Sequence, residues 1–123
     1  MTKSLADSII DAQLDLAEGD RLCVCAGHPT TYTEAITTNK LAILTLVPGT
    51  DFTTANGDTS GRKSTLAAKT GLTIDSSGDA DHVAIANSGD TSLRRVTTCT
   101  LQTLTAGGTV DVGAHKHEIG DPT

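Results

Sequence analysis

Hydrophobic and polar positions near the N-terminus repeat with the period of a helix. The apolar positions follow i, i+4, i+7, i+11 spacing, widened by two neighbours: Leu5, Ile9, Ala12 and Leu16, with Ile10 and Leu14. A stripe of this width is typical of a helix that packs one face on a core. The spacing predicts an amphipathic helix within residues 1–19, ending at Gly19.

Acidic side chains recur on the other side of this predicted helix. They are spaced three or four residues apart: Asp7, Asp11, Asp15 and Glu18. Like charges at this spacing repel each other by a few tenths of a kcal/mol (about 0.2–0.5 per pair). We expect the stripe to face solvent, and a basic partner is the alternative interpretation.

After Gly19 the helical period gives way to short β-like runs between turn-forming residues. Threonine, which favours pleated half-buried surfaces, supplies 22 of the 123 residues. The runs predicted as strands are residues 21–26, 42–47, 63–70, 72–75, 82–86, 93–101 and 109–112, with another around Ile119. The runs 63–70 and 72–75 are alternatively one strand with a bulge near Gly71.

The spacing of these runs, about 8–12 residues, favours a mainly β fold. We predict an antiparallel β-sandwich of the immunoglobulin-like type with an N-terminal α-helix. The predicted division is a helix in residues 1–19 and a sandwich domain in residues 20–123. Residues 28–40 hold few large apolar groups, and we expect an exposed loop or arm there.

The chain has three cysteines, an odd number. Strand alternation in residues 21–26 points Cys23 and Cys25 to the same face. One intrachain disulfide uses at most two of Cys23, Cys25 and Cys99, so the odd thiol indicates a bond to another chain or a reactive thiol. Small buried cysteines that fill a core are the alternative.

Charge and hydropathy exclude several classes of partner. The net charge is −6 and no basic patch exists, which argues against binding to nucleic acid. No apolar run approaches the roughly 18 residues that span a bilayer, and the N-terminus is unlike a secretory signal. We therefore expect no membrane partner and synthesis in a reducing cytoplasm, with any disulfide forming later.

Three segments carry side chains that catalysis or metal binding uses, but each departs from a working motif. Residues 57–64 resemble a phosphate-binding loop with its glycines one residue too close. His115 and His117 share a face in an extended strand but supply only two metal ligands. Asp75, Asp79 and Asp81 lack the spacing of a calcium loop. We predict no enzyme activity, no cofactor, and no catalytic or metal-binding residues.

Three phrases of the sequence carry a resemblance. They are His-Pro-Thr-Thr-Tyr-Thr-Glu-Ala at 28–35, Asp-Thr-Ser-Gly-Arg-Lys at 58–63, and Val-Thr-Thr-Cys-Thr-Leu-Gln-Thr-Leu-Thr-Ala-Gly at 96–107. Together they resemble a family of small β-rich structural proteins of tailed bacteriophages. The resemblance implies a non-enzymatic virion component, most of all a capsid decoration or linking protein. A neck or collar protein at the head–tail junction is the alternative.

The resemblance also implies partners: other virion proteins, such as the major capsid or neck and tail proteins, and further copies in a homo-oligomer. The candidate subunit contacts lie on the predicted helix and in residues 28–40: Leu5, Ile9, Leu16, Tyr32 and Glu34. The candidate cross-links are Cys23, Cys25 and Cys99. A carbohydrate- or host-surface-binding module on a fibre is the rival from another class, although only Tyr32 and Phe52 are aromatic.

Overall fold

A computed structural model describes residues 7–120. This part of the chain is mainly β with the helix first, as predicted, and nine strands follow the helix. In chain order the elements are α1 Asp7–Ala17, β1 Arg21–Cys25, a π-helical turn Glu34–Thr38, β2 Lys40–Thr45, β3 Phe52–Asn56, β4 Arg62–Leu66, β5 Lys69–Thr73, β6 Gly78–Asn87, β7 Ser92–Leu104, β8 Thr109–Val112 and β9 His115–Ile119. Within residues 7–120, no helix is long and apolar enough to cross a membrane.

The strands form three antiparallel sheets. Sheet A has the order β2-β1-β6-β7, sheet B the order β3-β4-β9, and sheet C pairs β5 with β8. All three sheets contribute aliphatic side chains to one main core, among them Leu22 and Ile85 of sheet A, Leu66 of sheet B and Val110 of sheet C. Burial of these side chains provides most of the stabilisation available to a chain with so few aromatics.

Helix α1 packs on β4 and β9 of sheet B. Ile10 and Leu14 are fully buried, whereas Ile9 and Leu16 are 50% and 66% exposed. The predicted centre of the apolar stripe, at Ile9 and Leu16, was therefore wrong. The helix is rotated so that Ile10 and Leu14, which were predicted at the side of the stripe, face the core. Leu5 lies outside the described residues.

The acidic stripe does not form one solvated face. Asp11 accepts from the Arg62 guanidinium, with an Nε–Oδ1 distance of 2.9 Å. Glu18 is only 9% exposed, while Asp15 lies on the surface. Asp7 lies at the start of α1, and its side chain is outside the described ones. The rotation that buries Ile10 also brings Asp11 and Glu18 against the sheets.

Gly19 follows the helix but is required for close packing. A Cβ built on it lies 2.9 Å from the carbonyl carbon of Ala86 and from Cγ2 of Ile85. Real Cβ atoms essentially never approach so closely, so only glycine lets the chain pass this point of β6.

Residues 28–40 form a packed cover for one face of sheet A. Pro29 and Ala35 are buried, and Ala35 joins Cys23, Cys25 and Ala84 in a second core cluster. The expectation of an exposed loop or arm was wrong for these two positions. The fully buried side chains of this cluster are small, and larger ones pack around them: Ile36, Ile43, Leu93 and Val96.

Most strand predictions agree with the structure within a few residues. The run 109–112 matches β8. Residues 62–73 form two strands in different sheets, so the single-strand alternative was wrong, and the register shift near Gly71 lies within β5, between Lys69 and Leu72. Strand β3 was missed, because Phe52 is its only large apolar residue. An immunoglobulin-like sandwich is not established by these three sheets.

Candidate functional site

Cys23 and Cys25 point to one face of β1, as alternation predicts. Both are fully buried in the second core cluster, while Leu22 and Val24 enter the main core on the opposite face. The Cys25 thiol donates a weak hydrogen bond to the carbonyl oxygen of Ala35, with an S–O distance of 3.6 Å. The two thiols therefore fill the space between sheet A and residues 28–40.

Burial also makes these two thiols chemically inert. It raises the pKa of Cys23 to about 12 and the pKa of Cys25 to about 11. A thiol must lose its proton to attack a disulfide, and a sulfur atom must be reachable to bond to another chain. In the folded chain all three cysteines are free, and the burial of these two argues against them as cross-links.

Cys99 is the exposed cysteine, and it lies in the long strand β7. Residues 97–103 are exposed one after another, and Leu101 is 64% exposed. Partial burial and the nearby charge of Asp81 raise the pKa of the Cys99 thiol. Of the three candidate cross-links, Cys99 is the one that a neighbouring chain can reach.

A surface pocket of about 220 Å³ lies beside Cys99, between β7 and β8. Its lining is mostly apolar: Val24, Ala80, Val83, Cys99, Thr100, Gln102, Val110, Asp111, Val112 and Gly113. Pockets that enclose a drug-sized ligand usually exceed about 300 Å³. This pocket suits a single side chain better than a substrate.

Residues 27–39 are held on sheet A by polar contacts around Asp81. Its carboxylate accepts from the Gly27 amide and interacts with His82 Nδ1, each at 2.8 Å. The His82 ring stacks on the His28 ring, with centroids 5.3 Å apart. These hydrogen bonds hold the pKa of Asp81 below its usual range.

The predicted contact residues in this segment, Tyr32 and Glu34, are half-buried. Glu34 Oε1 accepts from the Thr30 amide at 2.9 Å and from the Thr30 hydroxyl at 3.0 Å, which lowers the pKa of Glu34. Its carboxylate is therefore used to order its own loop. On the helix, exposed Ile9 and Leu16 form an apolar patch.

A cluster of buried and half-buried polar side chains lies where Glu18, β7 and β9 meet, and the sequence pointed only to its two histidines. It contains Glu18, Arg95, His115 and His117, with Ser64 of β4 opposite His117. Burial raises the pKa of Glu18, lowers that of Arg95, and with the charge of Arg95 lowers the pKa of both histidines. Arg95 Nε and Nη2, His115 Nε2 and Ser64 Oγ make no hydrogen bond within residues 7–120. Such groups weaken the layer beneath the helix.

The phosphate-loop-like segment forms the hairpin turn between β3 and β4. The Gly57 amide donates to the Gly61 carbonyl at 2.9 Å, and Lys63 pairs with Asp58 at 2.6 Å. Its cations are thus used within the fold.

The three aspartates of the segment that resembles a calcium loop each have a partner within the fold: Lys40 for Asp75, Thr103 for Asp79, and Gly27 with His82 for Asp81. No group of three metal-ligating side chains occurs in the described residues.

The comparisons with known proteins give no identification. A scan against protein-family models finds no match, and searches of curated proteins and of solved structures find none.

Proposed function

We propose that this protein is a non-enzymatic structural component of a tailed-phage virion, acting as a capsid decoration or linking protein. The sequence phrases at 28–35, 58–63 and 96–107 support the assignment to this class of particle. The structural observation that carries it is the exposed run 97–103 of β7, a neutral surface suited to subunit contacts. Virion proteins act in many copies, so weak contacts at such surfaces add up to strong attachment.

Two further elements of the proposal concern location and cross-links. The particle is assembled in the host cytoplasm, and its release exposes it to oxidising conditions. Cys99 is the thiol we assign to any disulfide with a neighbouring chain, because Cys23 and Cys25 are enclosed. The apolar patch Ile9 and Leu16 is the second proposed contact, toward another virion protein.

The finer fold assignment is also a proposal. We infer that the sheets form an immunoglobulin-like sandwich, supported by the antiparallel pairing and by one core to which all three sheets contribute. An experimentally determined structure of the particle-bound protein would test it through strand order and sheet angle.

The test of function uses particles purified on a density gradient from a lysate that contains this protein. Mass spectrometry is expected to find the chain at a constant ratio to the major capsid protein. A copy number on the order of hundreds supports capsid decoration, and about a dozen supports the neck or collar instead. Loss of the chain from intact particles during purification would contradict both.

Reducing and non-reducing gels of the same particles test the cross-link. A Cys99→Ser variant is expected to lose any band above monomer mass, whereas Cys23→Ser is the matched control and is expected to keep it. A monomer band in both lanes for the unaltered chain removes the disulfide from the proposal.

The geometry gives the carbohydrate-binding alternative little support. Sugar sites commonly use an exposed aromatic face, and the chain's two aromatic residues both lie in the described part: Phe52 is 4% exposed and Tyr32 is half-buried. Binding of the isolated protein to a glycan array would favour that function over ours.

A further inference from the structure

Strand β7 ends sheet A, and its outer edge is open along the exposed residues 97–103. Among residues 7–120, β7 pairs with β6 alone. The opposite edge of the same sheet, β2, is partly covered: the Leu41 carbonyl accepts from the amides of Asp75 and Ser76, and Ala42 bridges to Ile74. An open edge presents unpaired backbone donors and acceptors to another strand.

The open edge lacks the charged and proline residues that commonly protect an edge strand from pairing. Natural edge strands commonly carry charged side chains or proline, as β9 does with Lys116 and Glu118. Residues 96–110, by contrast, contain no charged residue and no proline. Seven consecutive residues of this run are exposed, and most of them are threonine. Both the composition and the exposure favour addition of a strand.

A bulge shapes the middle of this edge. Thr98 is in register with His82 and Gln102 with Ala80, so residues 99–101 oppose Asp81 alone. Such bulges often turn an edge away from partners. This one displays an exposed thiol at Cys99 and the 64%-exposed side chain of Leu101.

We propose that the outer edge of β7 pairs antiparallel with β7 of a second copy, around a two-fold axis at Cys99. Sheet A would then continue as one eight-stranded sheet through both copies. The inference deepens the proposed function and rests on it, since it names the neighbour that Cys99 contacts. A two-fold contact uses the same surface on both copies, which a neutral run satisfies without like-charge repulsion.

Charge does not oppose a second copy as the occupant of this edge. The chain has a net charge of −6, so two copies repel each other over most surfaces. The neutral run at 96–110 avoids this repulsion. In the proposed register, Thr98 lies opposite the partner's Thr100, and Thr97 lies opposite the partner's Leu101, so neither pair places two charges together.

The same register brings the two Cys99 residues together. Directly opposed residues in an antiparallel pair have Cα atoms about 4.5–5.5 Å apart. Disulfides require about 4.4–6.8 Å, so the bond is compatible with the pairing. Its formation joins two thiols, and the two protons and two electrons pass to one oxidised glutathione, which becomes two reduced molecules.

The first test is sedimentation velocity of the purified full chain, fully reduced, from about 1 to 100 µM. We expect a concentration-dependent dimer. Cys99→Lys places two positive charges face to face on the axis and is expected to weaken the dimer about tenfold or more. Cys99→Ser and Val47→Lys are matched controls, since Val47 is 56% exposed away from this edge. Both are expected to dimerise like the unaltered chain.

The second test is disulfide formation with oxidised glutathione. The unaltered chain is expected to form a Cys99–Cys99 dimer. A Thr98→Cys, Cys99→Ser chain is the control, because off-axis residues lie about 7–8 Å or more apart and should cross-link poorly. A monomer at every concentration, an unchanged dimer in Cys99→Lys, or equal cross-linking of the two chains would overturn the pairing.

These outcomes are separate from those of the virion proposal. A monomeric isolated chain that is nonetheless found on particles would refute the β7 pairing alone. A dimeric chain that is absent from particles would refute the virion function alone.

Discussion

Two leucines on one helix test how α1 is oriented. Leu14 is fully buried and Leu16 is 66% exposed, although they are two residues apart. Leu→Ala changes helix propensity only slightly at either position. The difference in unfolding free energy between Leu14→Ala and Leu16→Ala therefore reports the difference in burial of the two side chains.

The magnitude follows from the atoms removed. Leu→Ala deletes three carbons, and at about 0.8 kcal/mol per buried methylene the transfer term is roughly 2.4 kcal/mol. The cavity left behind adds to this, which places Leu14→Ala at about 2–5 kcal/mol of lost unfolding free energy. Leu16→Ala is expected to stay within about 0.5 kcal/mol of the unaltered chain.

Urea denaturation followed by far-UV circular dichroism measures both variants. With a slope of about 1–3 kcal/mol per molar urea, a loss of about 3 kcal/mol lowers the midpoint by roughly 1–3 M. An equal shift of the urea midpoint in the two variants, or a larger shift for Leu16→Ala, would refute the orientation of α1. It would favour the stripe centre that the sequence predicted. On particles, Leu16→Ala tests the proposed contact without a confounding loss of fold.

Two further predictions concern the fold and its dependence on pH. Gly19→Ala forces a Cβ against the Ala86 carbonyl and should lower the unfolding free energy by about 1–3 kcal/mol. Gly113→Ala has open space around it and should be neutral or slightly stabilising. Thermal melts distinguish the two variants, and equal melting temperatures would contradict the close approach at Gly19. The pKa of His115 is lowered by burial and by Arg95, so its contribution to stability is present above its unfolded pKa of about 6.5 and is lost as pH falls through the folded value. Between about pH 7.5 and 5.5 the unaltered chain should lose more stability in urea than His115→Gln, and parallel losses would count against this account.

The sequence by itself determined the features that depend on local periodicity. The alternation in β1 separated Leu22 and Val24 from Cys23 and Cys25, and the structure places these pairs on opposite faces. Period-two patterning and turn residues also predicted a mainly β chain, because strand geometry and turn geometry depend on neighbouring residues.

Tertiary structure decided which faces and edges are covered. The helical pattern predicted one apolar stripe that contains Ile9, Leu16, Ile10 and Leu14. Packing on β4 and β9 buries only Ile10 and Leu14 and leaves the other two exposed. The electrostatic interaction of Glu18 with Arg95 likewise joins residues far apart in the chain, for which no local pattern gives a signal.

The exposed edge shows the same division. The sequence predicted a long β run around Cys99, and the absence of charged residues from positions 96–110 is visible in the sequence itself. Its position at the end of sheet A depends on strand order, which is set by how distant segments share one core. Side-chain type and spacing determine the local elements. Exposure depends on the whole packed chain, because the residues of one strand do not determine which distant segment pairs with each of its edges.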